Sequence, residues 1–409
     1  MARVSSSNVD PAADAAALLR RVGFATLLVL VPASALVARR AVVVLVPIGV
    51  FLLVLAAALD GAHRPLGETR RRLGASSAAI AAGIVLLWCA LSLLWTPFVG
   101  PASERLGNIL GTILLAGAGY LALPDRMRSA NLYLIPVGVL AAAFTAIGLD
   151  LFGAAAGRIG EETDQNLDRG LTVLALVVWP AIAWLRSRGR HFEAFGVGLL
   201  AALAIALGPQ PMPMIAIAVG GLVFALTVYA GPIGVRVTAV TMATLLAFAP
   251  LIPFVLRPIA GAWLPSGDPF LRSLRVWRSV ITSEPVRLVT GHGFETSLRG
   301  RLDGLLPVNA PNTLLFEIWY ELGLVGALAG AVAIYGAVRA SGRNNPALVP
   351  AMVAAFATAF TFACLGIGTA QMWWFTTLAV VVLVFVATER GQFRTTRPKA
   401  RLFRPVAGA

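Results

Sequence analysis

The sequence predicts an all-α membrane protein, with about 12 transmembrane helices and one large outward-facing loop. Three observations predict it. Of the 409 residues, 58% are hydrophobic and 13% are charged, and the mean hydropathy is +0.83. A soluble globule averages about 45–50% apolar and about 25% charged residues, so this chain cannot bury its apolar surface in water. Apolar runs of the length that spans hydrocarbon as helix, about 20 residues, recur along the whole chain. Basic residues gather in alternate connections between these runs.

Taken in order, a polar tail (1–21) ends in Arg20-Arg21, with Asp10 and Asp14 inside it and no cleavage-site pattern after it. Nine apolar segments follow within 22–255, at 22–38, 41–59, 74–95, 106–123, 130–150, 170–185, 192–207, 213–229 and 237–255. Only Arg39-Arg40 divides the first two. Pro180, Pro250 and Pro253 mark ends or kinks, which membrane bundles tolerate when neighbours satisfy the freed carbonyls. A long connection, 256–312, leads to three more segments within 313–388, at 313–338, 346–366 and 370–388, and a basic tail (389–409) closes the chain.

With both termini on one side, 21 of the 33 basic residues fall on that side. The other side holds 12, seven of them in the 256–312 connection. Long loops orient weakly, and without that one the bias is 21 against five. The expectation is a multi-pass membrane protein with both termini cytoplasmic. The net charge of +14 comes from 32 Arg and a single Lys, Lys399. Arginine suits bidentate phosphate recognition. The composition excludes a secreted disulfide scaffold and a disordered chain, and it argues against a nucleic-acid partner. Cys89 and Cys364 lie in apolar runs and read as packed thiols.

Polar chemistry on the outer side is confined to 95–105, 151–169, 208–212 and 256–312. Arg272, Arg275 and Arg278 recur at i, i+3 and i+6, a row that can grip a diphosphate or, alternatively, meet lipid headgroups with Trp277 as aromatic anchor. Arg158 and Arg169 are the other candidate phosphate clamps, expected to approach the Arg272/Arg275 pair. Downstream come Gly291-His292-Gly293-Phe294, Pro311-Asn312-Thr313, and a helix opening with Glu317, Trp319, Glu321, Gly323 and Gly326. Glu317 and Glu321 share one helix face, and carboxylates at that depth need partners. A structural Glu–Arg pair is the other reading of Glu321.

In this order the motifs resemble the O-antigen ligase and O-antigen polymerase family, multi-span GT-C-like glycosyltransferases acting on undecaprenyl-diphosphate-linked glycans. Leu94-Trp95-Thr96-Pro97 matches a further family stretch. The resemblance implies transfer or polymerisation of such a glycan on the periplasmic face, in cell-surface polysaccharide or lipopolysaccharide biosynthesis. It implies a lipid-linked glycan donor, a glycan or lipid A core acceptor, contact with membrane lipids, and no metal or other cofactor. The candidate catalytic set is His292, Asn312, Glu317 and Glu321, of which the resemblance reaches Asn312 and Glu321. The family's histidine falls on Asn312, which can orient a hydroxyl but cannot take its proton. His292 is then the outward-facing histidine that can serve as base, or else a turn residue between two glycines. Gly208–Met214 lacks the Ser and Arg often seen there in relatives. The competing class is a transporter or flippase of lipid-linked glycan, or a non-catalytic relative. Charges are nearly absent from helix centres, which weighs against transport.

Overall fold

Each of the twelve apolar segments carries a helix. The computed structural model describes residues 11–61, 76–127, 129–153, 161–265, 267–367 and 371–391. Among these residues the secondary structure is helical, apart from one isolated bridge between Met127 and Gly391. The helices are α1 (Pro11–Ser34), α2 (Ala41–Leu59), α3 (Ser77–Ser92), α4 (Val99–Ala122), α5 (Ser129–Phe152), α6 (Glu161–Ser187), α7 (His191–Ala206), α8 (Pro211–Ala230) and α9 (Pro232–Ala247). Then come α10 (Ile252–Gly261), α11 (Pro269–Ser283), the single turn α12 (Arg287–Thr290), α13 (Thr296–Leu302), α14 (Leu314–Ser341), α15 (Val349–Leu365) and α16 (Met372–Glu389).

By length and composition, eight of the described helices can cross a membrane, or nine if the bent pair after Pro232 is one span. The remaining three predicted segments fall on α3, α7 and α15, which are shorter apolar helices. Twelve crossings is therefore a larger count than helix length alone carries. The first helix also reaches back to Pro11, where a tail was expected as far as residue 21. Proline suits the first turn of a helix, and the Ala- and Leu-rich stretch behind it favours continuation. The 256–312 connection is largely helical as well, holding most of α10 and all of α11 to α13. The tail residues 1–10 and 392–409 lie outside the described residues.

Burial follows the logic of a membrane bundle. Helix α6 is the most enclosed, with Leu171, Leu174, Leu176, Val178, Ala181 and Trp184 buried among α1, α5, α7, α8, α15 and α16. Large apolar side chains such as Leu94, Leu114, Phe144, Phe192, Leu222 and Trp263 remain exposed on the outer faces. An apolar surface this extensive fits lipid rather than water. A second cluster joins α9, α11, α14 and α15 through Leu246, Leu274, Trp277, Phe316, Trp319 and Val353.

Two helix breaks shape the region that matters. Helices α9 and α10 meet at a 65° bend containing Pro250. Proline has no N–H, so the Leu246 carbonyl loses its helical donor; the Trp319 indole donates to it at 2.8 Å. Helix α14 breaks at Gly323, whose φ is +61°. The carbonyls freed there find donors from outside the helix. His292 N–H donates to Tyr320 O at 2.8 Å, Gly293 N–H to Glu321 O at 3.0 Å, and the Trp88 indole to Leu322 O at 2.8 Å. Broken helices survive in a bilayer only with such replacements.

Contacts also sort the connections into two sets. Arg20 pairs with Asp60, Arg188 donates to Ser129 at 2.8 Å, and Met127 N–H donates to Arg390 O at 2.9 Å. These connections are the ones expected on the cytoplasmic side. Asn166 reaches Val37, Thr96 reaches Phe294, and Asn312 reaches Gly366, all within the set expected on the other side.

Candidate functional site

The break in α14 explains the glycine-histidine-glycine stretch. Residues 291–293 lie against Tyr320, Glu321 and Gly323. A Cβ on Gly323 would sit 2.6 Å from the Gly291 nitrogen, and one on Gly291 would collide with the Glu321 carbonyl. Both positions have positive φ, so glycine is required on two counts. The next residue is gripped by the Leu94-Trp95-Thr96-Pro97 stretch: Thr96 Oγ1 donates to Phe294 O at 2.9 Å.

Around this loop is a buried ionic network. Arg105, near the start of α4, reaches Glu295 at 2.6 Å and Glu321 at 3.4 Å, with its guanidinium carbon 4.4 Å from the Phe294 ring centre. Glu321 also accepts the Ser297 backbone N–H at 3.1 Å. Glu295 has φ +71°, the sole non-glycine residue with positive φ among those described, and Arg299 lies 3.6 Å from its second oxygen. A strained backbone of this kind persists only where its surroundings hold it, and here the hold is the pairing of its carboxylate. Arg301 on α13 approaches Glu317 at 3.4 Å, donates to Ser297 O at 3.1 Å and donates to Asn312 Oδ1 at 3.0 Å. The network thus sets Arg105, Arg299 and Arg301 against Glu295, Glu317 and Glu321, three charges of each sign. Matching of this kind is what carboxylates at membrane depth require.

The expected catalytic residues divide. Glu317 and Glu321 join the network, and the Glu–Arg pairing expected as the other reading of Glu321 is present. Asn312 sits at its exposed edge with both amide ends fixed, Oδ1 by Arg301 and Nδ2 by the Gly366 carbonyl at 3.2 Å. His292 is placed elsewhere. Its ring stacks on Tyr320 with centres 4.0 Å apart, and Nδ1 lies 3.0 Å from the Tyr320 carbonyl. Nε2 faces Glu284 at 3.3 Å. The adjoining cavity, about 20 Å³, has room for roughly one water.

The arginine row occupies the exposed face of α11, while Leu271, Leu274 and Trp277 are buried on the other. Arg275 and Arg278 line a cleft of about 430 Å³ between α10 and α11, together with Arg257, Phe254, Pro258 and Leu271. Arg278 also lies over the Phe254 ring at 5.3 Å. None of Arg257, Arg275 and Arg278 enters an ion pair among the described residues. Arg272 is exposed on the same helix outside the cleft lining. Arg169 lies over the Trp373 ring at 5.8 Å, with Arg39 as the charge bearing on it. It does not line the α10/α11 cleft, nor do His292 and Asn312. Arg158 lies outside the described residues. No cluster of three or more His, Cys, Asp or Glu side chains suited to a metal occurs among the described residues.

Sequence reasoning missed Arg105, Glu295, Arg301 and the part Arg257 plays in the cleft. One signal was legible: Arg105 is the lone cation of α4, at the head of its long apolar run, where a buried charge needs a partner.

No family model matches the chain. It is 23% identical over 176 residues to a protein of Rickettsia felis named "Putative polysaccharide ligase", covering 40% of this chain and 43% of that protein. A similarly named protein of Rickettsia prowazekii is 24% identical over 174 residues, covering 39% and 43%. The matched stretch thus spans less than half the length of these relatives. The chain thus combines distant similarity to proteins named putative polysaccharide ligases with an all-α architecture of many apolar helices.

Proposed function

We propose that the chain is a polysaccharide ligase-like membrane glycosyltransferase. In this reading it transfers or polymerises an undecaprenyl-diphosphate-linked glycan on the periplasmic face of a bacterial inner membrane, with both termini cytoplasmic and twelve crossings. The observation that carries the reading is the α10/α11 cleft. Three arginines without carboxylate partners face one open space beside an apolar wall of Phe254, Pro258 and Leu271. A polyprenyl diphosphate has that dual character, a multiply anionic head on a hydrocarbon tail. The named relatives and the broken α14 beside the cleft's helix support it.

In the proposed reaction an acceptor hydroxyl oxygen bonds to the anomeric carbon and the bond from that carbon to the diphosphate oxygen breaks. The departing diphosphate takes the electron pair, and the hydroxyl proton passes to it or to water. Charge grows on the leaving group, so the main service of the protein is fixed positive charge there. Arg257, Arg275 and Arg278 supply it without a metal. Asn312, held by Arg301 and the Gly366 carbonyl at the exposed edge of the network and outside the cleft lining, is the proposed orienter of an acceptor glycan that reaches from that edge into the cleft. The buried network holds α13, α14 and the 291–295 loop in register.

Deletion of the gene, with surface glycan separated on gels, tests the reading. A ladder collapsing to a single-repeat band identifies a polymerase, and free polymer without attachment identifies a ligase. Glycan trapped on its lipid in the cytoplasmic leaflet would identify a flippase instead, and an unchanged glycan profile would remove both readings.

A further inference from the structure

A second large cleft lies between α6, α7 and α8, at the end of the bundle that gathers 186–191 and 124–129. Its volume is about 440 Å³, and its walls are almost wholly apolar. Gly198 on α7 and Gly221 on α8 line it, and a Cβ on Gly221 would meet no atom within 4 Å. Absent side chains therefore leave part of this space open. Phe195, another lining residue, is 71% exposed, so the cleft communicates with the lipid-facing surface of α7.

At one end of this apolar channel stand Arg186 and His191. Arg186 has no hydrogen bond or ion pair among the described residues; its recorded contact is with the Phe224 ring, 4.9 Å from the guanidinium carbon. Its neighbours are differently occupied: Arg188 donates to Ser129 and Arg190 to Glu193. A lone cation at the mouth of a hydrocarbon-lined groove, at the edge of a bundle in lipid, matches one kind of occupant.

We infer that the α6–α8 cleft binds an anionic phospholipid, with one acyl chain beside Gly198 and Gly221 and the phosphate on Arg186. Charge complementarity selects an anionic head over a zwitterionic one, and cationic pockets between membrane helices on the cytoplasmic side are suited to such heads. The site is separate from the arginine cleft of α10 and α11 and does not depend on the reaction proposed for it.

The test uses the full chain purified in detergent and native mass spectrometry with added phosphatidylglycerol or phosphatidylcholine. Phosphatidylglycerol should stay bound and phosphatidylcholine should be lost. Arg186→Gln should weaken phosphatidylglycerol binding about tenfold, the scale of one charge-assisted contact. Gly221→Leu, which fills the groove without touching the cation, should abolish retention while leaving the thermal unfolding of the lipid-free protein unchanged. Equal retention of both lipids, wild-type binding by Arg186→Gln, or displacement by soluble glycerol phosphate would each overturn the inference.

Discussion

Replacing Arg105 by Met isolates what the buried network contributes. Arg105 is 7% exposed, and its partners Glu295 and Glu321 are 4% and 2% exposed. The substitution keeps an unbranched apolar stem and removes the cation. Glu295 retains Arg299 at 3.6 Å, while Glu321 retains the Ser297 N–H. The uncompensated charge therefore falls mainly on Glu321. Removing one partner of a buried pair costs about 3–5 kcal/mol. Removing the charge of Glu321 in the same protein should recover part of that, so Arg105→Met/Glu321→Gln should differ from additivity by about 1–3 kcal/mol. Unfolding in mixed micelles, followed by tryptophan fluorescence through the complete double-variant cycle, measures both quantities. An Arg105→Met protein within about 0.5 kcal/mol of the parent, the range of an ordinary surface change, would refute the reasoning. Additive single variants would refute the direct pairing.

Further outcomes are expected from the same geometry. Gly323→Ala should destabilise by at least about 1–3 kcal/mol, because it combines a strained φ with a Cβ 2.6 Å from the Gly291 nitrogen; a melting temperature equal to the parent's would count against the broken helix. Arg275→Ala and Arg278→Ala should each lower glycan transfer by about tenfold or more at unchanged protein levels, on the scale of a lost charge-assisted contact, whereas Arg272→Ala, outside the cleft, should cost less. Asn312→Ala should reduce transfer and His292→Ala should chiefly reduce stability, read as displayed glycan against membrane protein level; full transfer by Asn312→Ala would remove that position from the site, and a parent-like level of His292→Ala protein would remove the structural role of the ring. Reporter fusions after Phe270 should be periplasmic and those at Arg188 and Arg397 cytoplasmic, and a cytoplasmic signal at Phe270 would invert the topology.

Much of the bundle was legible because hydropathy and helix length are local properties. Each apolar segment carries a helix, and the six contacts between connections each join members of one of the two groups expected from arginine placement. The i, i+3, i+6 spacing of Arg272, Arg275 and Arg278 gave a common face, and α11 exposes it. Glu317 and Glu321 announced a need for cations, but their partners lie outside their helix: Arg301 is 16 residues from Glu317 and Arg105 is 216 residues from Glu321. Spacing rules for one helix are blind to such pairs. Likewise the His292 stretch could be read as a base or as a turn residue, since glycines around a histidine say only that the chain turns. Its partners, the carbonyls freed by the kink at Gly323, became visible only with the helix break. Arg257 joined the cleft through the 65° bend after α9, a feature that Pro250 and Pro253 signalled without giving its direction.

The most direct measurement of the central claim uses the purified protein with a polyprenyl-diphosphate-linked glycan and a glycan acceptor, following release of free polyprenyl diphosphate. The account predicts release that requires the acceptor, persists in EDTA, and falls sharply when Arg275 and Arg278 are both replaced by Ala. Movement of intact lipid-linked glycan between leaflets without release of polyprenyl diphosphate would contradict it, as would release at the parent rate from the double-alanine protein.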